Sequence, residues 1–208
     1  MAEPDKLLLY FADSMCSWCW GFAPVIDAIK AQFGEQLKIA LILGGLRPGT
    51  TEPIDTKSRE EILHHWQEVH KRSGQPFQFD GAMPEGFIYD TEPPSRAVVT
   101  MGELQPDAVL AFFKRTQAAF YAEQKDVTRE AVLLELLPEF NVDSDKFQEL
   151  FHSQEMKNRT LAHFQRARQY GVRGFPTLVL QDDEGYTLLT HGYQPYETLA
   201  PQISAWLK

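Results

Sequence analysis

Cys16 and Cys19 are the only cysteines in the 208-residue chain, held two residues apart in the run Asp-Ser-Met-Cys-Ser-Trp-Cys-Trp-Gly-Phe from Asp13 to Phe22. A pair at this spacing can close a small disulfide and reopen it without unfolding the domain. The thiolate of one cysteine attacks a foreign disulfide and the other resolves the mixed product. The elements that must hold the pair lie on either side of it. Leu7-Leu8-Leu9-Tyr10-Phe11 is a continuous apolar run of buried-strand length, and Pro24 to Phe33 carries Val25, Ile26, Ile29 and Phe33 at helical spacing, closed by Gly34. Both sulfurs therefore fall in or just before a first helical turn, where unpaired N–H groups and the positive end of the helix dipole favour an anion. Cys16, nearer the loop, is expected to be the exposed nucleophile, and Cys19, inside the helix, the resolving thiol. Half a zinc site, completed by histidine or carboxylate, and two inert core thiols are the alternative uses of such a pair. The strand–loop–helix placement counts against both.

A chain of 208 residues can build one well-buried core, so the pair is not needed as a staple. Hydrophobic residues at 43% and charged residues at 24% fit a soluble folded domain. A formal charge of −9 argues against nucleic acid or anionic lipid as a partner, because both are bound through clustered Lys and Arg. The start, Met-Ala-Glu-Pro-Asp-Lys, has no basic segment, and Leu7 to Ala12 is too short for a signal-peptide core or a membrane span. The cytoplasm is the expected compartment. In that reducing setting two cysteines read as catalytic, redox-sensing or metal-binding before they read as a structural bridge.

Lys38 to Leu43 is a second β-rich run, completing a strand–helix–strand unit that favours a right-handed crossover and a parallel pair. Toward the C-terminus, Glu155 to Tyr170 reads as a helix ended by Gly171, followed by a strand over Thr177 to Gln181 and a tight turn over Asp182 to Gly185. A second strand over Tyr186 to Thr190 and a closing helix over Pro195 to Leu207 complete that part. Between the two parts the strand signal vanishes. Ser58 to Arg72, Pro106 to Glu123, Thr128 to Phe140 and Ser144 to His152 read as helices, with a Gly/Pro-rich stretch from Gly74 to Pro94. The expected class is α/β, with residues 1–50 and 155–208 forming one domain and residues 51–154 a helical insertion.

A second constellation, Gly174-Phe175-Pro176-Thr177, stands at the entrance to the third strand, where a proline removes no interior ladder bond. With the Cys-X-X-Cys pair at the first helix, the helical block and the proline-led hairpin, the chain resembles the thioredoxin-like DsbA family of thiol–disulfide oxidoreductases over nearly its whole length. Gly44-Gly45-Leu46-Arg47-Pro48-Gly49 and Glu92-Pro93-Pro94-Ser95-Arg96-Ala97 are similar to the signal-less cytosolic predicted disulfide isomerases, near the FrnE-like branch. The resemblance implies a thioredoxin-like fold with a large helical insertion, and disulfide exchange or isomerisation on protein or small thiol substrates. It implies Cys16 as the attacking cysteine, Cys19 as the resolving one and Pro176 as the cis-proline beside them. It gives Phe175 the backbone that pairs with an extended substrate peptide, a mode that reads main chain and so suits unrelated clients. It implies no metal and no cofactor beyond the Cys16–Cys19 disulfide, leaves glutathione open as a cosubstrate, and makes thiol- or disulfide-containing proteins the partners.

The sequence also departs from that family. Ser17-Trp18 replaces the Pro-His of periplasmic relatives, whose imidazole favours the thiolate, so a less oxidising pair is expected. No acid stands in the strand Leu7 to Phe11 to take the proton of the resolving cysteine, and Asp13, if near Cys16, opposes its ionisation. Pro24 either matches the helix-kinking proline of thioredoxins or marks where the regular helix begins.

Of Trp18, Trp20 and Phe22, one or two are expected in the core, while Trp18, between the cysteines, is expected to be exposed as part of an apolar collar for peptide segments. His64, His65 and His70 read as a solvated helix face, since their spacing departs from the i, i+4 of a helical zinc pair. His163 and His191 are isolated. Gly44-Gly45-Leu46 is also similar to kappa-class glutathione transferases and hydroxychromene-carboxylate isomerases, which generally carry serine where Cys16 stands. A non-catalytic peptide-binding or holdase module is the remaining alternative.

Overall fold

The computed structural model describes residues 6–208; Met1 to Asp5, on which the reading of the chain's start rests, lie outside the described residues. β1 (Leu7–Ala12) pairs parallel with β2 (Lys38–Leu43) on one side and antiparallel with β3 (Thr177–Gln181) on the other. β3 pairs antiparallel with β4 (Tyr186–His191), giving the order β2-β1-β3-β4. β1 is thus interior and covered on both faces, which is why its sequence is a continuous apolar run rather than an alternation. Leu8, Tyr10 and Ala12 join the main core with α1 (Ser17–Phe33), while Leu9 and Phe11 pack toward Ala167 of α7 (Gln154–Gln169). The register brings the distant parts of the chain together: Phe11 lies opposite Thr177, so Pro176 is delivered beside the loop that follows Ala12.

α1 begins at Ser17 and runs through Pro24, so of the two readings of Pro24 the proline within the helix holds and the helix start does not. A proline lacks the N–H that would bond the carbonyl four residues back, here that of Trp20. Gln75 supplies the missing donor, its Nε2 lying 2.9 Å from the Trp20 carbonyl, and the Trp20 indole N–H donates to the Pro76 carbonyl at 3.0 Å. The segment after α2 (Thr56–Ser73) is thereby tied to the helix that carries the cysteines. α2 is capped by Asp55, which accepts from the Ser58 N–H, and closed by Gly74 in the left-handed region at φ 71°.

Helices alone fill the chain between β2 and β3: α2, α3 (Glu92–Leu104), α4 (Val109–Tyr121), α5 (Glu130–Glu135), α6 (Ser144–His152) and α7, with α8 (Tyr196–Trp206) after β4. α3 is absent from the sequence reading, which takes the stretch to Pro94 as loop. Pro93 and Pro94 sit in its first turn, where a missing N–H has no intrahelical partner to lose. The helix expected over Thr128 to Phe140 is broken into α5 and a 3₁₀ turn, Leu137–Phe140, at Pro138. Trp66 of α2 is buried against Phe77, Phe120 and Tyr121, which joins α2 to α4. No helix among the described residues is long and apolar enough to cross a membrane.

Candidate active site

Cys16 is the N-cap residue of α1, in extended backbone, and its carbonyl accepts from the Cys19 N–H at 3.0 Å and the Trp20 N–H at 3.1 Å. Its thiol points to the Phe175 carbonyl, 159 positions along the chain, at 3.6 Å. The Phe175–Pro176 peptide bond is cis, and Pro176 is buried while its carbonyl accepts from the Gly192 N–H at 2.7 Å. Among the described residues the Phe175 N–H has no hydrogen-bond partner, so this residue presents main-chain groups next to the sulfur. The two cysteines and the Phe175–Pro176 pair, widely separated in sequence, are brought into one site.

Exposure differs from the expectation. Cys16 is 7% exposed and Cys19 fully buried, so Cys16, expected to be the open one of the pair, has only a narrow exposed face. Trp18 is half-buried, not exposed, because its ring packs on Tyr193 at 5.9 Å between centroids, and the Arg72 guanidinium lies over the Tyr193 ring at 5.5 Å. Trp20 and Phe22 are the two core residues of the three aromatics, as expected of one or two of them.

The loop between β1 and α1 is held by a carboxylate. Asp13 is fully buried; its Oδ1 accepts from the Met15 N–H at 2.9 Å and its Oδ2 from the Leu46 N–H at 2.8 Å. Burial pushes its pKa up to about 6, and the backbone N–H groups of Leu46 and Met15 restrain the rise. This clamp ties the cysteine loop to Gly44-Gly45-Leu46, where the Gly44 N–H donates to the Ala12 carbonyl at 2.8 Å. His163 stands behind it, its Nδ1 accepting from the Leu43 N–H at 3.2 Å, and burial followed by the Arg166 charge pulls its pKa down.

The Asp13 carboxylate and the Tyr10, Tyr89 and Tyr121 phenols are buried close enough to the thiols to interact with them electrostatically, and none of these four groups is cationic. Burial raises the Cys19 thiol well above the ordinary value, and the Cys16 thiol and the Asp13 charge add to the rise. The Tyr89 hydroxyl donates to the Met15 carbonyl at 2.5 Å. Sequence reasoning passed over Tyr10, Tyr89, Tyr121 and Gln117, whose polar atoms meet the site only through tertiary packing.

The sequence profile of the DSBA-like thioredoxin domain matches residues 8–204. The chain belongs to that family. This DSBA-like domain is 45% identical to a proposed protein disulfide isomerase of Nitrosomonas europaea, covering 99% of this chain and 98% of that one with a TM-score of 0.92. It is 26% identical to the cytosolic disulfide reductase DsbM of Pseudomonas aeruginosa, covering 96% of this chain and 98% of that one with a TM-score of 0.81. The same reductase solved with GSH superposes with a TM-score of 0.79 at 25% identity. Among curated relatives, the ClpXP adapter protein SpxH of Halalkalibacterium halodurans is 26% identical over 195 residues, 89% of this chain. The chain spans 62% of that relative's length. The DSBA-like fold is therefore that of a thioredoxin domain with helices between its second and third strands.

Proposed function

We propose that the chain is a cytoplasmic thiol–disulfide oxidoreductase that works in the reducing or isomerising direction on protein disulfides, with glutathione as its thiol partner. The observation that carries this is the 3.6 Å approach of the Cys16 thiol to the Phe175 carbonyl at the start of α1, with Cys19 buried behind it. Cys16 attacks, the client's chain pairs with the main-chain groups of Phe175, Trp18 borders the bound segment, and Cys19 resolves the mixed disulfide. The direction follows from the surroundings. The carboxylate and phenols beside the sulfurs add no positive charge to that of the start of α1, so the reduced form gains less than it would from a histidine between the cysteines and the pair gives electrons up more readily. The likeness to a cytosolic disulfide reductase, solved also with GSH, supports the same reading. Residues 1–50 with 155–208 act as the redox domain in this reading, and residues 51–154 as the insertion that closes over it. Equilibration with glutathione buffers tests it: a potential near that of thioredoxin, about −270 mV, is expected, and one near that of DsbA, about −120 mV, overturns the direction.

A second reading comes from the relatives named as ClpXP adapters, of which this chain spans 62–64% for the first three. An adapter or holdase holds its client without thiol chemistry. The Cys16→Ser, Cys19→Ser double variant then keeps full client binding or aggregation suppression, whereas loss of both with the thiols favours the enzyme.

A further inference from the structure

β2 is an edge strand, with β1 as its one strand partner among the described residues. The Gly44 N–H turns inward to the Ala12 carbonyl and the Leu43 N–H turns outward to His163 Nδ1, so the alternation along a parallel strand points the main-chain groups of Ile39 and Leu41 outward as well. Among the described residues nothing beyond the edge bonds them. The other edge, β4, is blunted by a register shift at Leu178/Val179, whereas β2 keeps an unbroken register and holds no charge and no proline from Ile39 to Leu43. A groove runs along this bare edge. Two cavities of about 520 Å³ and about 360 Å³ share Ile39, Leu41, Pro106 and Val109, and the six residues of β2 give the groove a length of about 20 Å.

The two sides of the groove differ. Ile39 and Leu41 pack with Val99 and Val109 toward the main core, and Ala40 and Ile42 lie on the side of α7. On that second side α7 supplies Arg159, His163 and Arg166, three or four positions apart and therefore on one helix face. Arg159 engages Glu103 at 2.5 Å. Arg166 is exposed over Tyr170 with no ion pair among the described residues, and His163, whose Nδ1 is taken by the Leu43 N–H, keeps an Nε2–H that meets no acceptor among them. Four cations stand against two carboxylates in the lining as a whole, in a chain of formal charge −9. A strand laid beside β2 alternates its side chains between the apolar side and the cationic one. We infer that the edge of β2 is a docking site for an extended peptide in which apolar and acidic residues alternate, taken up as an added strand. The peptide main chain meets Ile39 and Leu41, its apolar side chains lie by Val99 and Val109, and a carboxylate reaches Arg166. A second copy of this chain is the poorer occupant, because its own β2 brings Lys38 and no carboxylate to a cationic wall. Nothing in the docking calls on the thiols.

Fluorescence anisotropy of a dye-labelled, cysteine-free octapeptide of alternating valine and glutamate, titrated with the full chain, tests the site. Saturable binding is expected, unchanged in the Cys16→Ser, Cys19→Ser double variant, so the result is independent of whether the chain exchanges disulfides. Arg166→Glu, at an exposed position, should weaken binding about fivefold and should favour a peptide with lysine in place of glutamate. Methylating the peptide nitrogens of the valines alone, or of the glutamates alone, removes the donors along one edge. One of the two modified peptides should lose binding and the other keep it. No saturable binding of the unmodified peptide, equal binding of the lysine peptide to the unaltered chain, or the same affinity for both methylated peptides overturns the inference. So does a dimer in sedimentation velocity that Arg166→Glu alters and the peptide does not displace, because a second copy then fills the groove.

Discussion

A Cβ atom on Gly44 would overlap the ring of Phe175. The bare backbone of the residue after β2 is the seat on which the residue before Pro176 rests. Gly44 has an ordinary backbone conformation, so what it supplies is space rather than freedom. Gly44→Ala should push the ring aside and move the Phe175 carbonyl from the Cys16 sulfur. We expect disulfide exchange to fall about tenfold, equivalent to about 1.4 kcal/mol in the barrier, with the fold intact by circular dichroism. Unchanged exchange in a folded variant would remove Phe175 from the site.

The thiols should differ in reactivity. Cys19 is fully buried and its thiol is held protonated by burial, by Cys16 and by Asp13, whereas Cys16 keeps a narrow exposed face. Iodoacetamide near neutral pH should therefore label Cys16 first, read by peptide mass spectrometry. Cys19→Ser should trap mixed disulfides with clients and Cys16→Ser none. Equal labelling of both sulfurs reverses the assignment of roles.

Asp13 gives the stability a defined slope with pH. Its folded pKa of about 6 lies above the value of an unfolded carboxylate, so the folded chain binds the proton more tightly. The associated stability is present at low pH and is lost as pH rises through the folded pKa. Relative to Asp13→Asn, which carries no such proton, the unaltered protein should lose about 2 kcal/mol between pH 4 and pH 7. Urea titrations of both proteins across that range check it; a difference that stays flat would place the carboxyl in contact with solvent.

Gln75 carries a prediction away from the thiols. Its amide replaces the N–H that Pro24 cannot offer to the Trp20 carbonyl. Gln75→Ala should cost about 1–3 kcal/mol, the penalty of a buried carbonyl left without a donor. Gln75→Ala combined with Pro24→Ala should recover much of that loss, because α1 can then close its own ladder. Additive losses in the double variant would show that the two residues act separately.

Much of this was legible in the sequence, because local patterns carried it. The continuous apolar run of β1, the periodicity of α1 and the proline at the mouth of β3 each follow from short-range chemistry. α3 was missed because Pro93 and Pro94 read as loop, although the first helical turn is the one place where prolines cost a helix little. The exposure of Trp18 was misread because Tyr193, which covers it, comes from the far end of the chain. Asp13 was noticed as an unfavourable charge, but its clamp on the Leu46 N–H exists only once β2 lies beside β1.

The pairing of Phe11 with Thr177 also orders events on the ribosome. The cysteines, β1 and β2 are synthesised before α2 to α7, whereas the partner strand on the other flank of β1 follows all of those helices. Until then a nascent chain presents β1 as an open edge with two thiols beside it and nothing opposite them. A ribosome stalled before residue 177 therefore holds a thiol pair without a groove, and the same edge is the place where another unfinished chain could add itself as a strand.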